Sequence, residues 1–253
     1  MREYGYRFTR GEVSQHEKQG KRWDLYGGRD PREIPIYGMA EAAHYLRIPG
    51  NTIRSWVHGR CYETRGGFRR ATPLVQPADP HSRTLSFVNV LELHVLGAIR
   101  RQHHVDMKRV RTALEFLQRK FGSRHPLVDE VMDTDGRSLF VTKYGALINA
   151  SQEGQGAMAE ILDAHLKRIE RDETGLAIRL FPFTRRGIDG PRIVSIDPLV
   201  AFGRPVLIGS RITTADVADR FKAGESAADL AHDYGREQTE IEEAIRCELD
   251  QAA

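Results

Sequence analysis

The sequence predicts a mainly α-helical chain with a small α+β insert between its helical ends. Three observations lead to this class. Apolar residues recur at three- and four-residue spacing over most of the chain, as they do in amphipathic helices. Short runs within residues 126–196 alternate in the manner of strands. Three short helical patterns, separated by glycine, occupy most of residues 201–253. The length of 253 residues allows one large domain or two to three small ones.

Composition restricts the expected compartment and chemistry. The hydrophobic content of 40% and the mean hydropathy of −0.49 suit a soluble globular protein. No apolar run approaches the ~18 residues needed to cross a bilayer, and residues 1–23 lack the apolar region of a secretory signal. Cys61 and Cys247 lie far apart, so neither a disulfide framework nor a metal site is predicted. We expect a cytoplasmic protein with no cofactor, no bound metal and no membrane contact.

The formal net charge of +3 conceals two halves of opposite charge. Residues 1–125 contain 23 Lys and Arg against 12 Asp and Glu, whereas residues 126–253 contain 15 against 23. A basic half favours a polyanionic partner, and an acidic half favours a basic one. Attraction between the halves of one chain, or of a dimer, would give the same pattern, so this alternative stays open.

The segment MAEAAHYLRIPGNTIRSW, residues 39–56, predicts two short helices joined by a tight turn. The first helix has an apolar face formed by Met39, Ala42, Ala43 and Leu46. Pro49-Gly50 interrupts this pattern, and Asn51 is expected to cap the second helix. The inner face of that helix should pack against the first one through Ile53, Trp56 and Val57.

A helix-turn-helix of this kind presents its second helix to the DNA major groove. Asn51 can contact adenine edges and Arg54 guanine, while Thr52 or Ser55 can bind phosphate. The Gly-Gly and Pro residues of segment 60–80 predict a β-hairpin and an exit loop, so a basic wing would follow the helix. The predicted DNA-binding residues are Asn51, Thr52, Arg54, Ser55, His58, Arg60, Arg65, Arg69 and Arg70. The alternative is a surface helical hairpin whose arginines are merely solvated.

Two more helices are predicted near residues 86–102 and 106–121, with Asp106 capping the second. The first carries an apolar stripe that is wide enough for both an internal core and a dimer seam. Its members are Val88, Leu91, Leu93, Val95, Leu96 and Ile99.

The middle of the chain predicts mixed structure. Residues 138–150 alternate around Tyr144-Gly145, which favours a β-hairpin. An amphipathic helix is predicted at about 155–171, and the runs LAIRLFPF and RIVSIDP predict two further strands. These elements would form the α+β insert.

The C-terminal part predicts three short helices, at about 214–222, from Ser226 to Gly235, and at about 237–249. The last helix is acidic outside its apolar face because of Glu240, Glu242, Glu243 and Glu248. Such a surface could dock a basic protein, although a solvated helix face is an equal alternative. Arg211 is expected to pair inside the same module.

The order of elements over residues 36–120 resembles the MerR-type winged helix-turn-helix. The matching segments are residues 39–43, the Arg-Trp helix at 51–56, and the helices of 91–117. The resemblance implies promoter binding as a homodimer. The chain lacks the long C-terminal dimerisation coiled coil and the cysteine cluster of that family.

Residues 202–248 resemble, almost end to end, a short bacterial domain family of unknown function that is widely associated with antitoxins of type II toxin–antitoxin pairs. The matching residues of its first part are Gly203, Pro205, Ile208, Gly209, Ser210, Arg211 and Ile212. Those of the rest are Gly224, Ser226, Leu230, Ala231, Tyr234, Ile241 and Ala244.

The order of a MerR-like reader, a small α+β insert and this module resembles a VapB-type antitoxin over roughly residues 34–250. We expect an N-terminal arm at 1–33, the winged helix-turn-helix with its helical pair at 34–125, an α+β segment at 126–196, and a three-helix module at 197–253. The resemblance implies neutralisation of a cognate toxin, a PIN-like ribonuclease, and repression of the protein's own operon through operator DNA. The first alternative is a MerR-like transcriptional regulator that responds to a small ligand and has no toxin partner. A scaffold that touches no DNA is the second.

Enzymatic chemistry is not predicted. The sequence has no Gly-rich phosphate loop, nucleophile elbow or His-Glu-x-x-His run. The acidic stretch 129–136 lacks the final Glu of an EF-hand loop. His94, His103 and His104 have no acidic residues at ligand spacing.

Overall fold

The structure is a computed structural model. It describes residues 28–64, 66–77, 79, 83–101, 105–129, 132, 135–148, 152–182 and 190–249. Most of the predicted arm, and the predicted DNA-binding residue Arg65, lie outside these described residues, as do His103 and His104. Within them, no helix is both long enough and apolar enough to span a membrane.

The N-terminal half contains the predicted helix-turn-helix, wing and helical pair. Its elements are a 3-10 turn (Pro31–Glu33), β1 (Tyr37–Gly38), α1 (Met39–Leu46), α2 (Gly50–His58), β2 (Arg60–Thr64), β3 (Gly67–Ala71), β4 (Thr84–Leu85), α3 (Phe87–Arg101) and α4 (Met107–Phe121). β1 pairs antiparallel with β4, and β2 with β3. The Asp106 side chain accepts a hydrogen bond from the Lys108 N–H, so Asp106 caps α4 as predicted.

The C-terminal half combines two helices, two small strand pairs and a three-helix module. Its elements are α5 (Asp135–Ile148), α6 (Gln152–Leu166), β5 (Ile169–Arg171), β6 (Ala177–Leu180), β7 (Val194–Ser195), a 3-10 turn (Ala201–Gly203), β8 (Val206–Leu207), α7 (Thr214–Lys222), α8 (Ala227–Tyr234) and α9 (Gln238–Leu249). β5 pairs with β6 and β7 with β8, both antiparallel. The mainly helical class with small strand pairs is confirmed.

One apolar core joins the helix-turn-helix to the α+β segment. It runs from Tyr37 to Ile196 and includes side chains of every helix from α1 to α6. A second, smaller core lies inside the C-terminal module and contains Leu207, Val217, Leu230, Ala231, Ile241 and Ala244. The predicted segments 34–125 and 126–196 thus share buried surface, and the exact domain limits stay a prediction.

Helix α3 lies at the centre of the larger core. All twelve residues from Phe87 to Ile99 other than Val88 are buried. The predicted apolar stripe therefore packs almost entirely against the same chain. Of its members only Val88 is not buried, so the stripe leaves little apolar surface for the predicted dimer seam. A helix that is buried on every side needs apolar residues all round, which explains the width of the pattern.

The β-hairpin predicted over residues 138–150 is wrong, because residues 135–148 form helix α5. Phe140, Val141 and Tyr144 are buried at the spacing of a helical face. Gly145 does not make a turn. It lets α6 approach, since a Cβ at this position would lie 2.6 Å from the Gln155 side chain.

Two predicted helix boundaries also need correction. Pro49, and not Asn51, is the N-cap of α2, so Asn51 lies inside the first helical turn. The helix predicted over 155–171 runs from Gln152 to Leu166, and its last predicted residues form β5 instead.

The three predicted helices of the C-terminal module are confirmed. The Ser226 hydroxyl accepts a hydrogen bond from the Asp229 N–H at 3.1 Å, which is the predicted cap of α8. Gly209 and Gly224 adopt positive φ angles of 72° and 106°, conformations that favour glycine.

Candidate nucleic-acid interface

Helix α2 is held firmly from its inner face. Ile53 and Val57 are buried, and the Trp56 side chain is only 4% exposed. Arg47 closes α1 in the left-handed conformation, and its N–H donates to the Ala43 and His44 carbonyls. The tight turn and the buried indole together fix α2 against α1, which is the rigidity that a probe of DNA bases requires.

The outer face of α2 carries the predicted contact residues. Asn51 and Arg54 are exposed, while Thr52, Ser55 and His58 are partly exposed. The Arg54 guanidinium donates to the Asn51 side-chain oxygen at 3.2 Å. This bond orders two side chains that can form bidentate hydrogen bonds with purine edges.

The wing is the two-stranded hairpin β2–β3. Its register pairs Arg60 with Ala71, Tyr62 with Arg69, and Glu63 with Phe68. Because residues opposite each other share one side of a hairpin, Arg60, Tyr62 and Arg69 lie on one face. Arg60, Arg69 and Arg70 are all exposed, as predicted for cations that follow a phosphate backbone.

The base of the wing is attached to α2. Gly59 joins the two elements at φ 73°, and a Cβ there would lie 2.2 Å from the Ala71 carbonyl oxygen. The Arg70 guanidinium donates to the His58 carbonyl at 3.0 Å. The Trp56 carbonyl accepts from the N–H groups of Leu74 and Val75 at 2.7 and 3.2 Å. These contacts hold the wing and α2 in one fixed arrangement.

Two residues of this surface were missed by sequence reasoning. Arg111 of α4 donates to the Thr72 carbonyl at 2.7 Å, so α4 supports the exit of the wing. Phe68 lies on the wing and is 80% exposed. The placement of Arg111 depends on a contact 39 residues apart, which no local pattern reveals. Phe68 could have been noticed from its position between Gly67 and Arg69 in the predicted hairpin.

The C-terminal module packs on the back of this helix-turn-helix. His44 Nε2 of α1 lies 2.8 Å from Glu248 Oε2 of α9, and Arg47 donates to the Arg246 carbonyl at 3.3 Å. Glu248 also accepts a hydrogen bond from the Thr214 hydroxyl. Burial alone raises the pKa of Glu248, but the bonds from His44 and Thr214 outweigh it, and the pKa is lowered.

This packing alters the predicted acidic docking face of α9. Glu243 is fully buried and pairs with Arg246. Glu248 is engaged with α1, and Glu240 pairs with Arg236 at 2.7 Å. The acidic residues of α9 thus mainly stabilise the chain itself. Arg211 was expected to pair within the module, yet it is exposed and makes no polar contact with any residue that the structure describes.

A group of buried polar side chains on α3 also supports the helix-turn-helix and its wing. Glu92 is almost fully buried, and its carboxylate lies 3.2 Å from His125 Nδ1. The Asn89 side chain donates to Glu92 at 3.2 Å and to the Gln76 carbonyl at 2.8 Å. Burial raises the pKa of Glu92. These contacts attach the exit loop of the wing to α3.

No group of His, Cys, Asp and Glu that could hold a metal occurs among the residues that the structure describes. Cys61 and Cys247 are both free. Burial raises the pKa of Cys247 to about 12, so its thiol stays protonated at neutral pH.

A firmly backed helix with a polar outer face, followed by a basic β-wing, defines a winged helix-turn-helix DNA-binding protein. Two family models match the chain, one over the helix-turn-helix part and one over the C-terminal module. Residues 35–114 match the family described as "Putative DNA-binding HTH domain". Residues 194–246 match the family described as "Protein of unknown function (DUF433)".

Relatives of known sequence cover most of the chain. It is 32% identical to the "Putative antitoxin VapB45" of Mycobacterium tuberculosis over 84% of this chain and 93% of that protein. It is 26% identical to the "Uncharacterized protein Rv2308" of the same organism over 85% of this chain and 89% of that protein. The crystal structure of Rv2018 from M. tuberculosis shares the fold, with a TM-score of 0.59, 24% identity, and coverage of 84% of this chain and 98% of that one.

The chain therefore belongs to the VapB-type antitoxin family. Its role is that of an antitoxin-like, DNA-binding protein, and its family points to a regulator and not to an enzyme.

Proposed function

We propose that the chain binds operator DNA of its own operon as a homodimer, represses that operon, and neutralises a cognate toxin. The observation that carries the DNA part is the arrangement of α2 and the wing. Trp56 and Ile53 fix α2 from behind, and the exposed Arg54, Arg69 and Arg70 all project from a rigid unit. A free surface hairpin with solvated arginines would not need such anchoring.

The residues of this surface have different roles in the proposal. Asn51 and Arg54 contact purine edges in the major groove, since their side chains form bidentate hydrogen bonds with adenine and guanine. Thr52, Ser55 and His58 bind phosphate or sugar beside them. Arg60 and Arg69 contact the backbone from one face of the wing. Arg70 lies on the opposite face, where it holds the wing to the His58 carbonyl and adds a further cation for the backbone. Two copies of the chain would place two such units on neighbouring half-sites.

The test is a binding titration with a duplex taken from the region upstream of the protein's own gene. Six to ten phosphate contacts predict that affinity falls by about 10³ to 10⁵ between about 50 and 200 mM salt. Arg54→Ala combined with Arg69→Ala should weaken binding strongly and reduce the salt slope by about 1 to 2. Arg211→Ala is the matched control, because it removes an exposed arginine of the C-terminal module that belongs neither to α2 nor to the wing. A flat salt response, or equal binding by the double variant, would refute the proposal.

The toxin part rests on the family and on the charge of the C-terminal half. Since the acidic residues of α9 are largely engaged within the chain, we place the contact on the exposed carboxylates of the rest of the module. These are Asp216, Asp219, Asp229, Asp233 and Glu237. A basic ribonuclease of the PIN-like class fits this surface, because its active site must attract RNA phosphates. The N-terminal arm is the alternative site of contact.

Co-expression with the adjacent gene tests the toxin part. We expect the two products to co-purify and the antitoxin to restore growth. Replacing Asp216 by Asn and Glu237 by Gln should weaken the complex, because these exposed carboxylates form no ion pair with the residues of the module that the structure describes. In contrast, Asp219 pairs with Lys222 and Asp233 with Arg220. Removing residues 1–27 should not weaken the complex. Loss of the complex only in the truncated chain would assign the contact to the arm. No co-purification, together with a DNA affinity that responds to a small metabolite, would favour the ligand-responsive regulator.

A further inference from the structure

Phe68 is exposed in a way that the fold does not explain. Its side chain is 80% exposed, whereas the other aromatic residue of the wing, Tyr62, is 38% exposed. A phenylalanine in water gives up the stabilisation that burial would provide. It occupies a hairpin that otherwise presents charged and polar groups, so a polar residue would serve the isolated chain better.

The position of Phe68 suits a probe at the outer end of the wing. It pairs with Glu63, one step from the Thr64–Gly67 pair that ends the ladder. Phe68 lies three residues along β3 from Ala71 at the base of the wing, which is about 10 Å at about 3.3 Å per residue. Helix α2, which carries the wing, has nine residues and adds about 14 Å at about 1.5 Å per residue. Half a turn of B-DNA, the distance from a major groove to the next minor groove, is about 17 Å. Helix α2 and the wing together therefore have the length to extend from the major groove to the neighbouring minor groove.

The charge around Phe68 favours nucleic acid over an apolar protein surface. The two strands carry Arg60, Arg69 and Arg70 against one carboxylate, that of Glu63, so the wing as a whole is basic. Arg70 and Glu63 lie on the same face of the hairpin as Phe68, and Arg60 and Arg69 lie on the other face. The phosphate walls of a minor groove complement this excess of positive charge. A protein-binding patch would instead place several apolar residues together, but Phe68 has only charged or small partners in the register of the hairpin.

We propose that Phe68 is a wedge that enters the minor groove, partly unstacks one base step and bends the operator. This inference rests on the proposed DNA binding and adds a specificity element to it. Apolar side chains of other proteins kink DNA by about 20° to 90° in this manner. Pyrimidine–purine steps such as TA and CA unstack most easily, so the wedge selects operators that have such a step beside the major-groove site.

The experiment measures affinity and bend angle for the upstream duplex, the second by circular-permutation gel shift. Phe68→Ala should weaken binding about tenfold, which is about 1.4 kcal/mol, and remove most of the bend. The salt slope should not change, since no charge is lost. Phe68→Leu should retain the bend, because leucine also acts as a wedge. Phe202→Ala is the matched control, since Phe202 is 86% exposed but lies outside the wing.

The possible outcomes separate this inference from the proposed function. Equal affinity and bend for wild type and Phe68→Ala, with binding still weakened by the Arg54 and Arg69 double variant, overturns the wedge alone. No salt-dependent binding by the wild type overturns both. If Phe68→Ala instead loses self-association or toxin capture while binding and bending DNA normally, Phe68 is a protein contact and the wedge is wrong. Unchanged urea unfolding of Phe68→Ala establishes that the variant is folded.

Discussion

Gly203 of the C-terminal module lies close against Ile36 and Tyr37, which directly precede the helix-turn-helix. Its φ of 76° lies in the left-handed region, and a Cβ would lie 2.2 Å from the Tyr37 Oη and 3.1 Å from Ile36 Cδ1. Tyr37 is buried in β1, directly before α1. We predict that Gly203→Ala destabilises the protein through two separate effects, backbone strain and steric overlap with Tyr37.

The chain offers a control that isolates the second effect. Gly209 has nearly the same φ, 72°, but has nothing within 4 Å of its ideal Cβ. Left-handed strain for alanine costs about 1–2 kcal/mol at either position. Overlap in a packed region adds about 1–3 kcal/mol. The expected loss is therefore about 1–2 kcal/mol for Gly209→Ala and about 2–5 kcal/mol for Gly203→Ala.

Urea unfolding followed by far-ultraviolet circular dichroism measures both losses. Tyr37→Phe in the Gly203→Ala background should recover part of the extra loss, because the shortest contact is with the hydroxyl oxygen. Equal destabilisation by the two glycine variants would refute the reasoning. It would mean that Tyr37 moves aside at no cost and that the module is not closely packed on β1.

Three further predictions concern the contacts that hold the site. Glu248→Gln should cost about 1–2 kcal/mol at neutral pH, allowing for partial exposure. The pKa of Glu248 is lowered in the folded state, so its contribution to stability is present above the unfolded pKa of 4.5 and is lost as the pH falls through the folded pKa. The free energies of unfolding of the wild type and of Glu248→Gln, measured by urea titration, should therefore become equal in acid. Trp56→Ala should cost about 3–5 kcal/mol and abolish operator binding, whereas Arg54→Ala should leave the unfolding midpoint unchanged and weaken binding only. Asp106→Ala should remove about 1 kcal/mol through loss of the α4 cap, and Asp106→Asn, which also caps, should remove much less in the same unfolding assay.

Local sequence patterns predict the helix-turn-helix well because the residues that determine its fold lie close together in the sequence. The apolar faces of α1 and α2, the turn at Pro49-Gly50 and the hairpin glycines all lie within about 35 residues. The buried state of Ile53, Trp56 and Val57 followed from helical spacing alone. The cap of α2 was misassigned because proline can itself precede the first helical turn.

The errors have a common physical origin in contacts between distant parts of the chain. Residues 138–150 read as a hairpin because β-branched and aromatic residues surround a Tyr-Gly pair, yet packing against α4 and α6 selects the helix. The pattern of Glu243 and Glu248 indicates an acidic face that is either solvated or free to dock a basic protein, but His44 and Arg246 engage these residues. The His44–Glu248 contact joins residues 204 positions apart, and a single sequence contains no sign of it.

Helix α3 packs against the helix-turn-helix on one side and against α6 on another, so it couples their stabilities. Arg101 at its end donates to the Leu46 carbonyl of α1 at 3.0 Å, and Gly97 lies against Ile48. On another side, His94 Nε2 lies 3.2 Å from the His165 carbonyl oxygen of α6. Cleavage of the chain between α4 and α5 that released the downstream helices would remove α6 from the surface of α3. The helix-turn-helix would then be destabilised, although every residue that we propose to contact DNA would still be present.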